Sequence, residues 1–147
     1  MNDGCIFCAI AAGQAPASLV HEDALTLAFL DLRQAHPGHV LAIPRRHCRD
    51  LRELDDATGA ALMKTLSRVT RAVAAVFPHE GISIWHSIGQ AARQEVPHLH
   101  FHVHPRRLGD GLLRVYPSAP ARPPRATLDR YAAALREQLA GDMASPR

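Results

Sequence analysis

Val96–His104 reads VPHLHFHVH, and the alternation within it decides the fold. His98, His100, His102 and His104 hold every second position, with Leu99, Phe101 and Val103 between them. Successive side chains of a strand leave on opposite faces, so the pattern predicts a strand with every imidazole on one side and the apolar residues on the other. Rings on such a strand stand roughly 6.5–7 Å apart, a flat polar surface suited to phosphate. Three consecutive rings span about 13 Å, too far for one ion to bind them all, which argues against a catalytic metal held by the row.

Working outward, Gly81–Ser87 (GISIWHS) also alternates and predicts a partner strand across a polar loop. Ala24–Asp31 and His39–Pro44 flank the turn residues His36, Pro37 and Gly38, and together they predict a hairpin. Between these pairs Leu62, Leu66, Val69, Val73 and Val76 recur at helical spacing, so a long helix ending near Pro78 is expected. Residues 5–12 suit a short helix. Thr127–Ala140, after the Pro- and Arg-rich stretch 117–125, suits a C-terminal one.

The chain has 147 residues, enough for one ordinary domain that folds without disulfides. Its hydrophobic fraction of 47% includes 25 alanines and few aromatics, so the core is expected to be small and aliphatic. A net charge of +3 is a weak bias toward anions, and the arginines have no interleaved aromatics on which bases would stack. Neither a nucleic acid nor a membrane is expected as partner. The N-terminus has an acid rather than a basic stretch ahead of a brief apolar run, unlike a secretory signal, and an odd count of three cysteines argues against an oxidised framework, so a cytoplasmic protein is expected. Cys5-x-x-Cys8 has the spacing of half a zinc site; a redox pair or two packing cysteines are the other readings.

HLHFHVH, preceded by Gly89 and by Gln94-Glu95-Val96-Pro97, resembles the motif of the histidine triad (HIT) nucleotide-binding proteins, His-φ-His-φ-His-φ-φ with φ apolar. CIFCAI at the start, FLDL around Asp31, PGHVLAIPRRH from Pro37 to His47, and PRRLGDG after the histidines extend the resemblance to about Gly111. The lead-in Gln94-x-Val96-x-His98 sets the triad as His98, His100 and His102. His104 then stands where the family has an apolar residue.

The resemblance implies an α+β fold: a five-stranded antiparallel sheet with one long helix packed on it and a C-terminal helix. A single domain over 1–147 is expected, its core about 4–111, with an extension and helix over 112–147. It further implies an enzyme in which His100 attacks the α-phosphorus of a nucleotide conjugate and forms a covalent nucleotidyl-histidine. Nucleoside phosphoramidates, aminoacyl-adenylates and dinucleoside polyphosphates are the substrate classes. The alternative is a purine-nucleotide-binding signalling module with little turnover.

His102 would contact the phosphate and serve the leaving group, with Ser87, Gln94 and the Glu95 backbone as further phosphate contacts. Ser87 departs from the family's usual Asn or Gln, and Arg93 from a common glycine. Asp31 would hold the ribose, and Ile6, Phe7, Ile10 and Leu32 the base. His39 would support the triad from behind. Cys5, Cys8, His47 and His98 would close a structural zinc site, one ion per chain, with no open position for chemistry. Two chains are expected to pair as a homodimer.

Overall fold

The computed structural model describes residues 4–113 and 115–143. The chain divides into two compact units, one running to Asp110 and the other beginning at Gly111.

The first unit is a five-stranded antiparallel sheet in the order β1-β2-β3-β5-β4. Its strands are β1 (Leu19–Glu22), β2 (Thr26–Leu30), β3 (Val40–Pro44), β4 (Gly81–Trp85) and β5 (Phe101–Arg106), with helices α1 (Ile6–Ala11) and α2 (Asp56–Val76). The expected hairpin is β2 with β3, paired from Thr26 opposite Pro44 to Leu30 opposite Val40. β1 was not legible in the sequence: LVHE is short, largely exposed and carries no alternating apolar face.

Alternation gives the central strands two different faces. Ala28, Val40, Ala42, Leu99 and Val103 pack against Leu62, Leu66, Val69 and Val73 of α2. Leu27, Phe29, Leu41 and Ile43 pack with Phe7 of α1 on the other side. β2 and β3 are therefore buried on both faces, which is why they read as continuous apolar runs.

α2 is started by Asp55, whose carboxylate accepts the Thr58 N–H at 2.9 Å. Leu62 is 1% exposed, and truncation to alanine there is expected to cost about 2–5 kcal/mol. Val76 departs from the expected helical face: it is the last helical residue and 68% exposed, and the next core contact after Val73 is made by Phe77. Gly38 is buried in the β2–β3 connection at φ +102°, and a Cβ there would lie 2.5 Å from the Phe77 ring, so both backbone and space require glycine.

The histidine strand is shorter at its start than expected. β5 begins at Phe101, and His98 lies in a bend ahead of it. The Leu99 N–H goes to the Cys48 carbonyl at 2.7 Å, outside the ladder, because this stretch is drawn toward the segment after β3.

The second unit contains α3 (Arg125–Met143), in which Leu128, Tyr131, Leu135 and Leu139 are exposed. Among the described residues no helix is long and apolar enough to cross a membrane.

Candidate active site

The imidazoles emerge on the α1 side of the sheet, as alternation requires, but they do not form a flat row. The His100 and His102 ring centroids are 5.0 Å apart, closer than an extended strand would place them. Phe7 stands edge-on to His98 at 5.8 Å and to His100 at 5.3 Å. His98, His100 and His104 are all buried. The open phosphate-binding surface expected from spacing alone is replaced by a packed cluster, because α1 and the loop before β3 cover the strand.

Tautomers follow from fixed carbonyls. His100 Nδ1–H donates to the His98 carbonyl at 2.7 Å, which leaves Nε2 with its lone pair available. His39 Nδ1–H donates to the Arg33 carbonyl at 3.2 Å, so its Nε2 accepts from His102 Nδ1–H at 2.8 Å. His86 Nδ1–H donates to the His100 carbonyl at 3.1 Å and supports the backbone there.

Burial pushes His100 below the usual imidazole range, against the opposing pull of the His98 carbonyl and of Asp31 and Glu95. For His102, burial leads and the neighbouring imidazoles His100, His39, His104 and His86 add to it, taking it to about 3. Burial also lowers His39, opposed by Asp31. These shifts favour uncharged His100, His102 and His39 rings at neutral pH, the form a nucleophilic nitrogen requires.

A pocket of about 420 Å³ is lined by Ile6, Phe7, Ile10, Asp31 and Leu32, among others, and is linked to the triad through Phe7, whose ring stands edge-on to His100. All five residues expected to hold base and ribose thus meet in one cavity of a size usual for small ligands. Asp31 is the first residue after β2; its Oδ1 accepts the Arg33 N–H at 2.8 Å and its Oδ2 lies 3.8 Å from His39 Nδ1. Arg33, which sequence reasoning passed over, also lines the pocket and forms a two-pronged ion pair with Glu95 across a separation of 62 residues.

The expected phosphate contacts sit in the loop after β4. Gln94 uses its side chain internally: Oε1 accepts the Gly89 N–H at 2.9 Å and Nε2 donates to the Arg49 carbonyl at 2.7 Å. Ser87 is partly buried two residues beyond β4. Arg93, in place of a glycine, holds φ 63°, a strained conformation for a residue with a Cβ. His104 is buried rather than turned to solvent; it packs 4.5 Å from His39 and 6.0 Å from His36.

Cys5, Cys8, His47 and His98 come together with their ligand atoms all within 4.8 Å of one another. Cys5 Sγ lies 3.5 Å and Cys8 Sγ 3.6 Å from His98 Nδ1, and Cys8 Sγ lies 3.3 Å from His47 Nδ1. A tetrahedron built on zinc bonds of about 2.0–2.3 Å has edges of about 3.3–3.8 Å, so this donor set fits zinc. His98 Nε2–H donates to the Pro44 carbonyl at 2.9 Å, presenting Nδ1 to the cluster as a metal ligand needs. Asp31, His39 and His102 also converge. Their closest contact is the 2.8 Å bond between two imidazoles, shorter than such an edge, and it reads as a hydrogen-bond relay.

Comparison with known proteins identifies the family. Residues 12–109 match the HIT domain family model. Adenosine 5'-monophosphoramidase hnt1 of Schizosaccharomyces pombe is 37% identical over 120 residues, spanning 81% of this chain and 87% of that protein. A histidine triad nucleotide-binding protein from Candida albicans has a similar structure, with a TM-score of 0.81 at 30% identity, covering 94% of this chain and 99% of that one. A zinc-bound histidine triad family protein from Mycobacterium smegmatis gives a TM-score of 0.68 at 38% identity, covering 97% of this chain and 98% of that one. With the HIT domain match spanning most of the chain and the histidines arranged as described, this chain belongs to the HIT family.

Proposed function

We propose that the protein is a nucleotidyl hydrolase or transferase acting on the α-phosphate of nucleotide conjugates, nucleoside phosphoramidates foremost. One observation carries the reading: His100 has its Nδ1–H committed to a carbonyl at 2.7 Å, which leaves the Nε2 lone pair available, and Phe7, edge-on to that ring at 5.3 Å, lines an apolar pocket that ends in a carboxylate. The phosphoramidase relative supports that substrate class.

A nucleoside enters the pocket with its base among Ile6, Phe7, Ile10 and Leu32 and its ribose hydroxyls on Asp31. His100 Nε2 attacks the α-phosphorus, and the bond from phosphorus to the leaving group breaks as the P–N bond forms. The leaving group takes a proton from His102 Nε2–H, for which His102 is protonated when the phosphate is bound. Water then attacks the phosphorus of the nucleotidyl-imidazolium, giving a proton back to His102 Nε2; the P–N bond breaks, nucleoside monophosphate is released and His100 is neutral again. Ser87, the second Nε2–H of Gln94 (the first being held by the Arg49 carbonyl) and the Glu95 backbone N–H serve the phosphate oxygens. His39 sets the orientation and tautomer of His102.

Cys5, Cys8, His47 and His98 hold one structural zinc ion, which pins the start of the triad segment to α1 and supplies no step of the reaction. The protein works as a homodimer in the cytoplasm.

His100→Ala is expected to abolish hydrolysis of adenosine phosphoramidate while AMP still binds. Unchanged hydrolysis would remove the catalytic assignment, and wild-type binding without turnover would favour the signalling module.

A further inference from the structure

β4 and β5 pair antiparallel with Trp85 directly opposite His102. Facing pairs on one side of a sheet bring their side chains into contact, and here the two rings are nearly parallel, 4.3 Å between centroids and 4° between planes. The same indole reaches His39 at 5.8 Å and His104 at 5.9 Å, so it roofs the cluster from the β4 side.

This contact bears on the charge of His102. Its Nδ1–H is given to His39, so the neutral ring has only a lone pair on Nε2, and it donates to a phosphate oxygen only as an imidazolium. The groups facing it are His100 and His104 from its own segment, His39 ahead of β3 and His86 after β4, all imidazoles. One carboxylate also converges there, that of Asp31, within 4.8 Å of a His102 ring nitrogen. The electron-rich face of the indole, stacked on the ring plane, adds negative potential for a new cation beside that of Asp31.

We infer that Trp85 is a positioning residue: its indole holds the His102 ring in the reactive orientation and stabilises the imidazolium that faces the phosphate. The inference rests on the nucleotidyl-transfer reading. Cation–π attraction of ordinary strength corresponds to a roughly two- to thirtyfold gain in the protonation equilibrium, a shift of about 0.4–1.5 pH units. Leucine at this position fills apolar space without the π face; phenylalanine keeps a weaker one.

Two measurements test this. The first follows AMP affinity and the alkaline limb of kcat across pH for the wild type, Trp85→Leu and Trp85→Phe. In Trp85→Leu the limb is expected to move down by about 0.4–1.5 pH units and AMP to bind two- to thirtyfold more weakly at its protonation-dependent optimum, with Trp85→Phe in between. Superimposable profiles for all three, or equal shifts in Leu and Phe, overturn the inference. The second uses the fact that Trp85 is the single tryptophan. Acidification is expected to quench its emission at a midpoint that AMP moves upward, and His102→Gln is expected to abolish that quenching. Quenching that survives His102→Gln overturns the inference. If AMP does not bind at all, the nucleotide reading fails, and the ligand-free titration of wild type against His102→Gln still decides the contact.

Discussion

His39→Ala removes the acceptor that holds His102. In the native site the His102 Nδ1–H meets His39 Nε2 at 2.8 Å, and His39 is itself held by the Arg33 carbonyl at 3.2 Å. Leaving a partly buried N–H without its acceptor costs about 1–3 kcal/mol. If that cost falls on the population of the reactive His102 orientation, kcat drops roughly 5- to 150-fold. KM for a nucleoside phosphoramidate should stay within about twofold, because His39 does not line the nucleoside pocket. His39→Gln is the control, since its amide oxygen accepts from His102 while its NH2 reaches the Arg33 carbonyl. Steady-state hydrolysis of adenosine phosphoramidate, with urea unfolding of each variant to confirm the fold, measures both effects. A folded His39→Ala protein with wild-type kcat would refute the relay, as would a Gln variant no better than Ala.

The zinc cluster predicts about one ion per chain by elemental analysis, lost in the Cys5→Ser/Cys8→Ser double variant together with thermal stability. Brief chelation that leaves the fold intact should leave hydrolysis intact; loss of activity with retained fold would contradict a purely structural ion. Gly38→Ala should destabilise the fold by about 2–5 kcal/mol, from the left-handed backbone and the clash with Phe77 combined, and a change below about 1 kcal/mol in urea unfolding would contradict the packing described. Stability should also fall on acidification. His102 near 3 in the fold against about 6.5 unfolded means that the unfolded chain takes up its proton first, so stability is full above about pH 6.5 and is lost toward pH 3, by at most about 2 kcal/mol at pH 5 from this residue. His102→Gln should flatten that slope in pH-dependent urea titrations, and an unchanged slope would count against a depressed His102.

Strand alternation in HLHFHVH, the α2 apolar face and the β2–β3 hairpin were legible because each is a local period tied to burial on one side. The four metal-ligand candidates were legible through the family resemblance, and they converge although His98 is 93 residues from Cys5. What sequence could not supply was depth. A row of alternating histidines reads the same whether it faces water or is packed under α1, and Phe7 seated between His98 and His100 is a tertiary fact. The register that puts Trp85 opposite His102 was likewise hidden, although GISIWHS and HFHVH alternate in a way that admits it. His86 carried no motif, and its support of the His100 carbonyl comes only from the position of β4's end. The Arg33–Glu95 pair joins segments that only the folded sheet brings together.

The central claim is a free Nε2 on His100 that becomes bonded to phosphorus. Mixing the protein with a slowly hydrolysed adenosine phosphoramidate, quenching in alkali to preserve the phosphorus–nitrogen bond, and mapping the peptides by mass spectrometry tests it most directly. The expected result is an acid-labile adenylate on His100, absent from His100→Ala. An adduct on a different residue, or wild-type turnover by His100→Ala, would contradict it.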